Sequence, residues 1–143
     1  MKLEFQLEER TPTVVEFDEL RRSVGWRTGD AEAFEHGLRK SLYAVCALVE
    51  GLVVGTARVV GDESTCFYVQ DVIVRPEHQR MGIGTALMEK AMSYIDRSAC
   101  AGAVVGIMVA KNREAFYEKF GFWQRPNEEY GPGMMQFWRE SEW

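Results

Sequence analysis

Val69-Gln70-Asp71-Val72-Ile73-Val74-Arg75-Pro76-Glu77-His78-Gln79-Arg80-Met81-Gly82-Ile83-Gly84-Thr85-Ala86-Leu87 is the stretch that decides how this chain folds. An apolar run of strand length stops at Arg75-Pro76, because proline cannot donate to a ladder and disfavours helix in the residue before it. A basic, glycine-bearing turn follows. From there Ile83, Leu87, Met88, Ala91, Met92 and Ile95 recur on one helical face. Strand, turn and helix in this order set a helix N-terminus beside the C-terminal end of a strand. The first N–H groups of a helix lack acceptors and its dipole adds partial positive charge, so the place suits a phosphate. Gly82 and Gly84 carry no Cβ to hold a ligand off the backbone, and Arg80 adds a charge. The stretch predicts a pyrophosphate cradle.

Two common cradles fail on the letters. A P-loop ends in Gly-Lys-Ser/Thr, whereas Gly84 is followed directly by Thr85. A dinucleotide fingerprint wants a third glycine where this chain has Leu87, and an acidic residue about twenty positions on. Here that later region is the apolar run 103–109.

What remains is Gln79-Arg80-Met81-Gly82-Ile83-Gly84, preceded by Val72-Ile73-Val74-Arg75-Pro76. It resembles the acetyl-CoA-binding segment of the GCN5-related N-acetyltransferases (GNAT). A second segment agrees: Asn112-Arg113-Glu114-Ala115-Phe116-Tyr117-Glu118-Lys119-Phe120-Gly121-Phe122 is similar to the later motif of that family, a tyrosine-bearing helix that ends at Gly-Phe. The resemblance is strong over residues 43–122 and weak outside them. Two motifs in order, separated by one helix and one strand, are far more specific than one glycine loop.

Outward from the decisive stretch, hydrophobic periodicity predicts the remaining elements. Leu3, Phe5 and Leu7 alternate with polar residues, the period of a half-buried strand. Val14, Phe17, Leu20 and Val24 fall at helical spacing, and Asp30 is placed to cap a second helix reaching about Lys40. Residues 42–49 and 52–60 read as strands joined at Glu50-Gly51, a third strand covers 67–74, and 103–109 reads as a strand covered on both sides. A helix over about 113–120 ends at Gly121, and residues 122–123 and 134–139 read as the last strands. The expected fold class is α/β, a single domain over residues 1–143 with a mixed sheet, an antiparallel meander leading into a central parallel βαβ pair. Ligands of such sheets bind beyond the C-terminal ends of the parallel strands, where residues 75–84 lie. The resemblance adds that the two central strands splay there and admit the pantetheine arm.

Bulk properties narrow the function. The 143 residues are 46% hydrophobic, enough for a core, and the formal net charge of −5 argues against a nucleic-acid binder. No apolar run is long enough to span a membrane, and residues 1–10 lack a secretory core, so a cytoplasmic location is expected. Cys46, Cys66 and Cys100 lack metal-like spacing and read as reduced thiols, His36 and His78 have no partner pattern, and no metal is expected. Exposed edge strands near the C-terminus would allow a homodimer.

Acetyl transfer to an amine needs a deprotonated nucleophile, a stabilised oxyanion and a protonated leaving thiolate. The cradle assigns the pyrophosphate to Gln79, Arg80, Met81, Gly82, Ile83, Gly84 and Thr85. The resemblance implies that the backbone of Val72, Ile73 and Val74 holds the pantetheine, that Asn112 contacts the cofactor arm, and that Tyr117 sits near the thioester sulfur as general acid. Asn112 is equally placed to cap its own helix. Glucosamine-phosphate N-acetyltransferases are similar around the third strand but carry Glu-Asp where this chain has Gln70-Asp71. Gln70 cannot be a base, and Asp71 either takes a proton through water or fixes local backbone. On a regular strand these two face opposite sides, so lining one cleft requires a bulge. Glu128 and Glu129 are further candidates for the base. Acceptor contacts are expected from Trp26, Phe34, Gln70 and Tyr130. The leading expectation is an acetyl-CoA-dependent N-acetyltransferase of small-molecule amines; a protein N-terminal or lysine acetyltransferase and a noncatalytic acyl-CoA-binding module are the alternatives.

Overall fold

The computed structural model describes residues 4–140, which fall into two compact units divided between Ile107 and Met108. The strand residue expected at Leu3 lies outside the described residues.

The first unit is a five-stranded sheet with three helices. Its elements run β1 (Gln6–Glu8), α1 (Val14–Ser23), α2 (Ala31–Arg39), β2 (Tyr43–Val49), β3 (Leu52–Gly61), β4 (Cys66–Val74), a 3-10 turn at Pro76–His78, α3 (Ile83–Ser98) and β5 (Val104–Ile107). The strands lie in the order β1-β2-β3-β4-β5; the first four are antiparallel neighbours and β4–β5 is parallel. The α/β expectation, with a meander leading into a parallel βαβ pair, therefore holds. Both residues of the β2–β3 turn, Glu50 and Gly51, have positive φ, as a tight hairpin twisting with its strands demands.

Each face of the sheet buries its own cluster. Val45, Ala47, Val54 and Ala57 pack with Ile83 and Leu87 of α3, while Cys46, Val53 and Ile73 pack with Leu20 of α1. The helices begin differently. Thr13 and Glu16 form a reciprocal capping box on α1, and the Asp30 carboxylate accepts from the Ala33 N–H on α2. α3 starts at Gly82 with no side-chain cap and no acidic residue in its first turn.

The sequence reading needs two corrections here. β5 is four residues long rather than a strand covered on both sides: Val104 is 66% exposed and the next three residues are only half-buried, so helices do not cover both of its faces. In the second unit, α4 (Glu114–Glu118) is present and Gly121 follows it at φ 91°, but no strand forms over residues 122–123 or 134–139. The apolar letters there come in adjacent pairs, Met134-Met135 and Phe137-Trp138, not in alternation, and all four side chains are exposed. The C-terminal edge strands behind the homodimer expectation are thus not formed among the described residues.

Candidate active site

The cradle is built by backbone conformation. Arg75 leaves β4, the 3-10 turn Pro76–His78 reverses the chain, and Arg80 and Gly82 both take left-handed φ, 64° and 86°. Those two residues swing the chain so that Ile83, Gly84 and Thr85 become the first turn of α3, with N–H groups that have no acceptor within the helix. A Cβ on Gly82 would meet nothing within 4 Å, so the space over this backbone is open. The Gln79 side chain donates from Nε2 to the Val74 carbonyl at 2.9 Å and ties the turn to the end of β4. His78 Nδ1 is a buried polar atom without a hydrogen-bond partner among the described residues. The uncapped helix start, the open glycine and the exposed Arg80 together fit an anionic group such as a pyrophosphate. The concavity lined by Met92, Ile95, Asp96 and Cys100 lies toward the other end of α3 and is separate from the cradle.

Just before the cradle, β4 carries the bulge that the sequence reading required. Arg58 of β3 pairs with Gln70 and Thr56 pairs with Ile73, so Ala57 alone faces both Asp71 and Val72. Asp71 takes φ 55°, a conformation that Asp accepts more readily than most residues. The bulge changes which way the side chains point. Phe67 packs edge-on against Tyr94 of α3, and Val72 and Val74 pack on the α3 cluster, whereas Ile73 lies with Leu20 of α1. Gln70, opposite Arg58, and Asp71 thus both serve the α1–α2 side.

Asp71 is engaged on both oxygens. Oδ1 accepts from Arg21 Nη1 at 2.9 Å and Oδ2 from Arg58 Nε at 2.8 Å, with the Asp71 side chain 3% and each arginine 16% exposed. Arg58 Nη1 also donates to the Gly37 carbonyl and to Ser41 Oγ. Arg21 donates from Nε to the Arg27 carbonyl and lies over three rings, Phe17, Trp26 and Phe34, at 5.3–5.6 Å from their centroids. Trp26 and Phe34, expected to hold acceptor, are therefore placed beside Asp71 but pack on the chain's own arginine. The sequence reading missed Arg21 and Arg58. A signal existed for Arg58, the one charge inside the apolar run 52–60, since a charge in such a strand needs a buried partner.

In the second unit, Asn112 has φ 70° and precedes Arg113, the residue at the N-cap of α4, where no side chain caps. The expected capping role for Asn112 is thus not realised; its left-handed backbone places it one residue too early. Tyr117 is buried, with Phe116 and Phe122 edge-on at 4.9 and 6.4 Å. Burial pushes its phenol up to about 12, with Arg113 opposing. Tyr130 is exposed, 5.0 Å from Trp123 and under the Arg125 guanidinium. Asn127 Oδ1 accepts from the N–H groups of Glu129 and Tyr130 and shapes this loop, leaving Glu128 and Glu129 exposed.

The raised Tyr117 value has a consequence for stability. Below pH about 10 the phenol is protonated in both folded and unfolded chains; between 10 and 12 only the unfolded chain releases the proton. Its contribution is thus full below pH about 10 and lost as pH rises to about 12. Between pH 8 and 11 the wild type should lose about 1 kcal/mol more stability than Tyr117→Phe, read from urea midpoints.

Among the described residues no group of three His, Cys, Asp or Glu side chains converges, and no helix is long and apolar enough to cross a membrane. Comparison with known proteins gives the chain its relatives. Residues 6–122 match the model of the Acetyltransferase (GNAT) family. An uncharacterized ycf52-like N-acetyltransferase of Prochlorococcus marinus is 32% identical over 93 residues, 62% of this chain and 49% of that protein, so the match spans about half of the relative's length. A crystal structure of a Staphylococcus aureus protein of unknown function, described as a probable acetyltransferase, superposes with a TM-score of 0.87 at 28% identity over 94% of this chain and 100% of the other. A GNAT-family acetyltransferase of Streptococcus pneumoniae gives 0.79 at 30% identity over 96% and 100%. With the glycine cradle, the β4 bulge and the parallel β4–β5 pair all in place, the chain belongs to the GNAT family of acetyltransferases.

Proposed function

We propose that the protein moves the acetyl group of acetyl-CoA to a primary amine on a small molecule. The observation that carries this reading is the N-terminus of α3, left open while α1 and α2 are capped by side chains. Acetyl-CoA, when bound, supplies the activated thioester. The N–H groups of residues 80–85 take its pyrophosphate, joined by the Arg80 charge. Gln79 holds the turn in place through Val74. The backbone of Val72, Ile73 and Val74 aligns the pantetheine, and Asn112 adds a contact to the same arm. Tyr117 gives its proton to the departing thiolate, and the amine attacks directly after losing a proton to water. Asp71, with both oxygens held by arginines, positions the bulge and does not act as the base. Trp26, Phe34, Gln70 and Tyr130 bound the acceptor. Residues 1–143 are read as one acetyltransferase domain, a reading supported by a family match whose span, residues 6–122, includes residue 107.

Calorimetric titration with acetyl-CoA tests this directly. Saturable binding is expected for the wild type. Gly82→Glu puts a negative side chain into the cradle and should weaken binding at least about tenfold, the equivalent of losing one hydrogen bond to a charged group. A folded wild type that binds no acetyl-CoA would end this reading. Turnover restricted to peptides, or binding without turnover across an amine panel, would move it to a protein acetyltransferase or a binding module.

A further inference from the structure

The cluster around Asp71 is not neutral. Two guanidiniums meet one carboxylate, the three acids of α1 pair elsewhere (Glu16 with Arg10, Asp18 with Arg22, Glu19 with Arg75), and Glu32 and Glu35 of α2 are exposed. Among the described residues no second carboxylate lies within ion-pair distance of Arg21 or Arg58. One positive charge is left over between α1, α2 and β4, on groups largely withdrawn from water, which is an unfavourable arrangement without an anion. Among the described residues neither Nη2 amino group has an acceptor, and neither is a sealed atom, since His78 Nδ1 alone there is both buried and unpartnered. Asp71 thus fixes the two arginines and leaves their outer N–H groups free to bind. Three rings around Arg21 restrict its motion and keep it oriented.

We infer that Arg21 and Arg58, held by Asp71 on the α1–α2 side of the β4 bulge, bind an anionic group of the acceptor, a carboxylate or a phosphate. The inference rests on the acetyl-transfer reading for what the anion belongs to. Asp71 adjoins Val72–Val74, the backbone assigned to the pantetheine, and a strand advances about 3.3 Å per residue. An anion held here is therefore within about 10 Å of that backbone, so the acceptor is a short molecule whose amine and anion are a few bonds apart. Planar guanidiniums suit both anions, because each offers paired N–H donors to two oxygens.

The test compares three short primary amines at saturating acetyl-CoA: propylamine, β-alanine and O-phosphoethanolamine. With the wild type, at least one anionic amine should exceed propylamine in kcat/KM by about tenfold or more, and the better of the two identifies carboxylate or phosphate. Arg58→Gln removes the surplus charge and should bring that ratio to within about twofold, while Arg58→Lys, which keeps the charge, should retain part of it. The same anionic amines are also titrated calorimetrically into the protein without acetyl-CoA. Saturable binding that Arg58→Gln abolishes would uphold the anion site even if no amine were acetylated, and would then count against the reaction alone. Turnover of all three amines without anionic preference would overturn the inference and leave the acetyl-transfer reading standing. Absence of both turnover and anion binding would overturn the inference, and the acetyl-transfer reading would then stand or fall on acetyl-CoA binding and the wider amine panel. The wild-type comparison requires no variant to fold.

Discussion

Tyr117→Phe is expected to lower kcat about 100-fold while leaving the acetyl-CoA dissociation constant nearly unchanged. The substitution removes one oxygen and keeps the ring between Phe116 and Phe122, so packing in the second unit is preserved. General acid catalysis typically contributes 10²–10⁴-fold, and the lower end applies because a phenol pushed up to about 12 is a weak donor near neutral pH. The compensating advantage is occupancy: the proton is in place at every pH where the enzyme would work. Any alkaline loss of kcat below pH about 11 therefore belongs to a group other than Tyr117. Single-turnover measurements would isolate the chemical step from product release. If Tyr117→Phe turns over at the wild-type rate, the tyrosine is a packing residue and the thiolate finds its proton in solvent.

Asp71→Ala should cost the first unit about 2–4 kcal/mol of stability, somewhat less than is usual for a buried pair broken on one side, because both arginines retain some contact with water. Two guanidiniums would be left facing each other without the carboxylate, and alanine would have to hold φ 55°, which costs a further 1 kcal/mol or so. Urea unfolding at neutral pH reads the loss. Asp71→Asn, which tolerates the left-handed backbone, separates charge from conformation and should recover the smaller, conformational share. The kinetic arm decides between roles. As a positioning residue, Asp71 acts on the acceptor KM through Arg21, Arg58 and the bulge; as the base, it would act on kcat with an acidic limb in the pH profile. A folded Asp71→Asn enzyme that lost kcat alone, with KM unchanged, would restore Asp71 as the catalytic base.

How much of this is legible in the sequence follows from the range of each interaction. The helix at α3, its abrupt start and the strand that feeds it are local features, written as a 3.6-residue period, a proline and two glycines within a single window. The hairpin at Glu50-Gly51 and the Asp30 cap were readable for the same reason. The last strands were misread because apolar letters without alternation state burial preference but not a ladder partner, and pairing is a property of the neighbouring strand.

The sequence by itself determined the family, the order of elements through residue 107 and the glycine turn at residues 79–85 that opens α3, because each rests on patterns and backbone conformations that neighbouring residues set. Only the tertiary structure decided what Asp71, Arg21, Arg58, Trp26 and Phe34 touch. Arg21 and Asp71 are fifty positions apart, so nothing local marks them as partners. The bulge that turns Gln70 and Asp71 to one side exists only where β3 pairs out of step with β4. Charge pairing and strand register are long-range quantities, and they are settled when the sheet closes under α1 and α2.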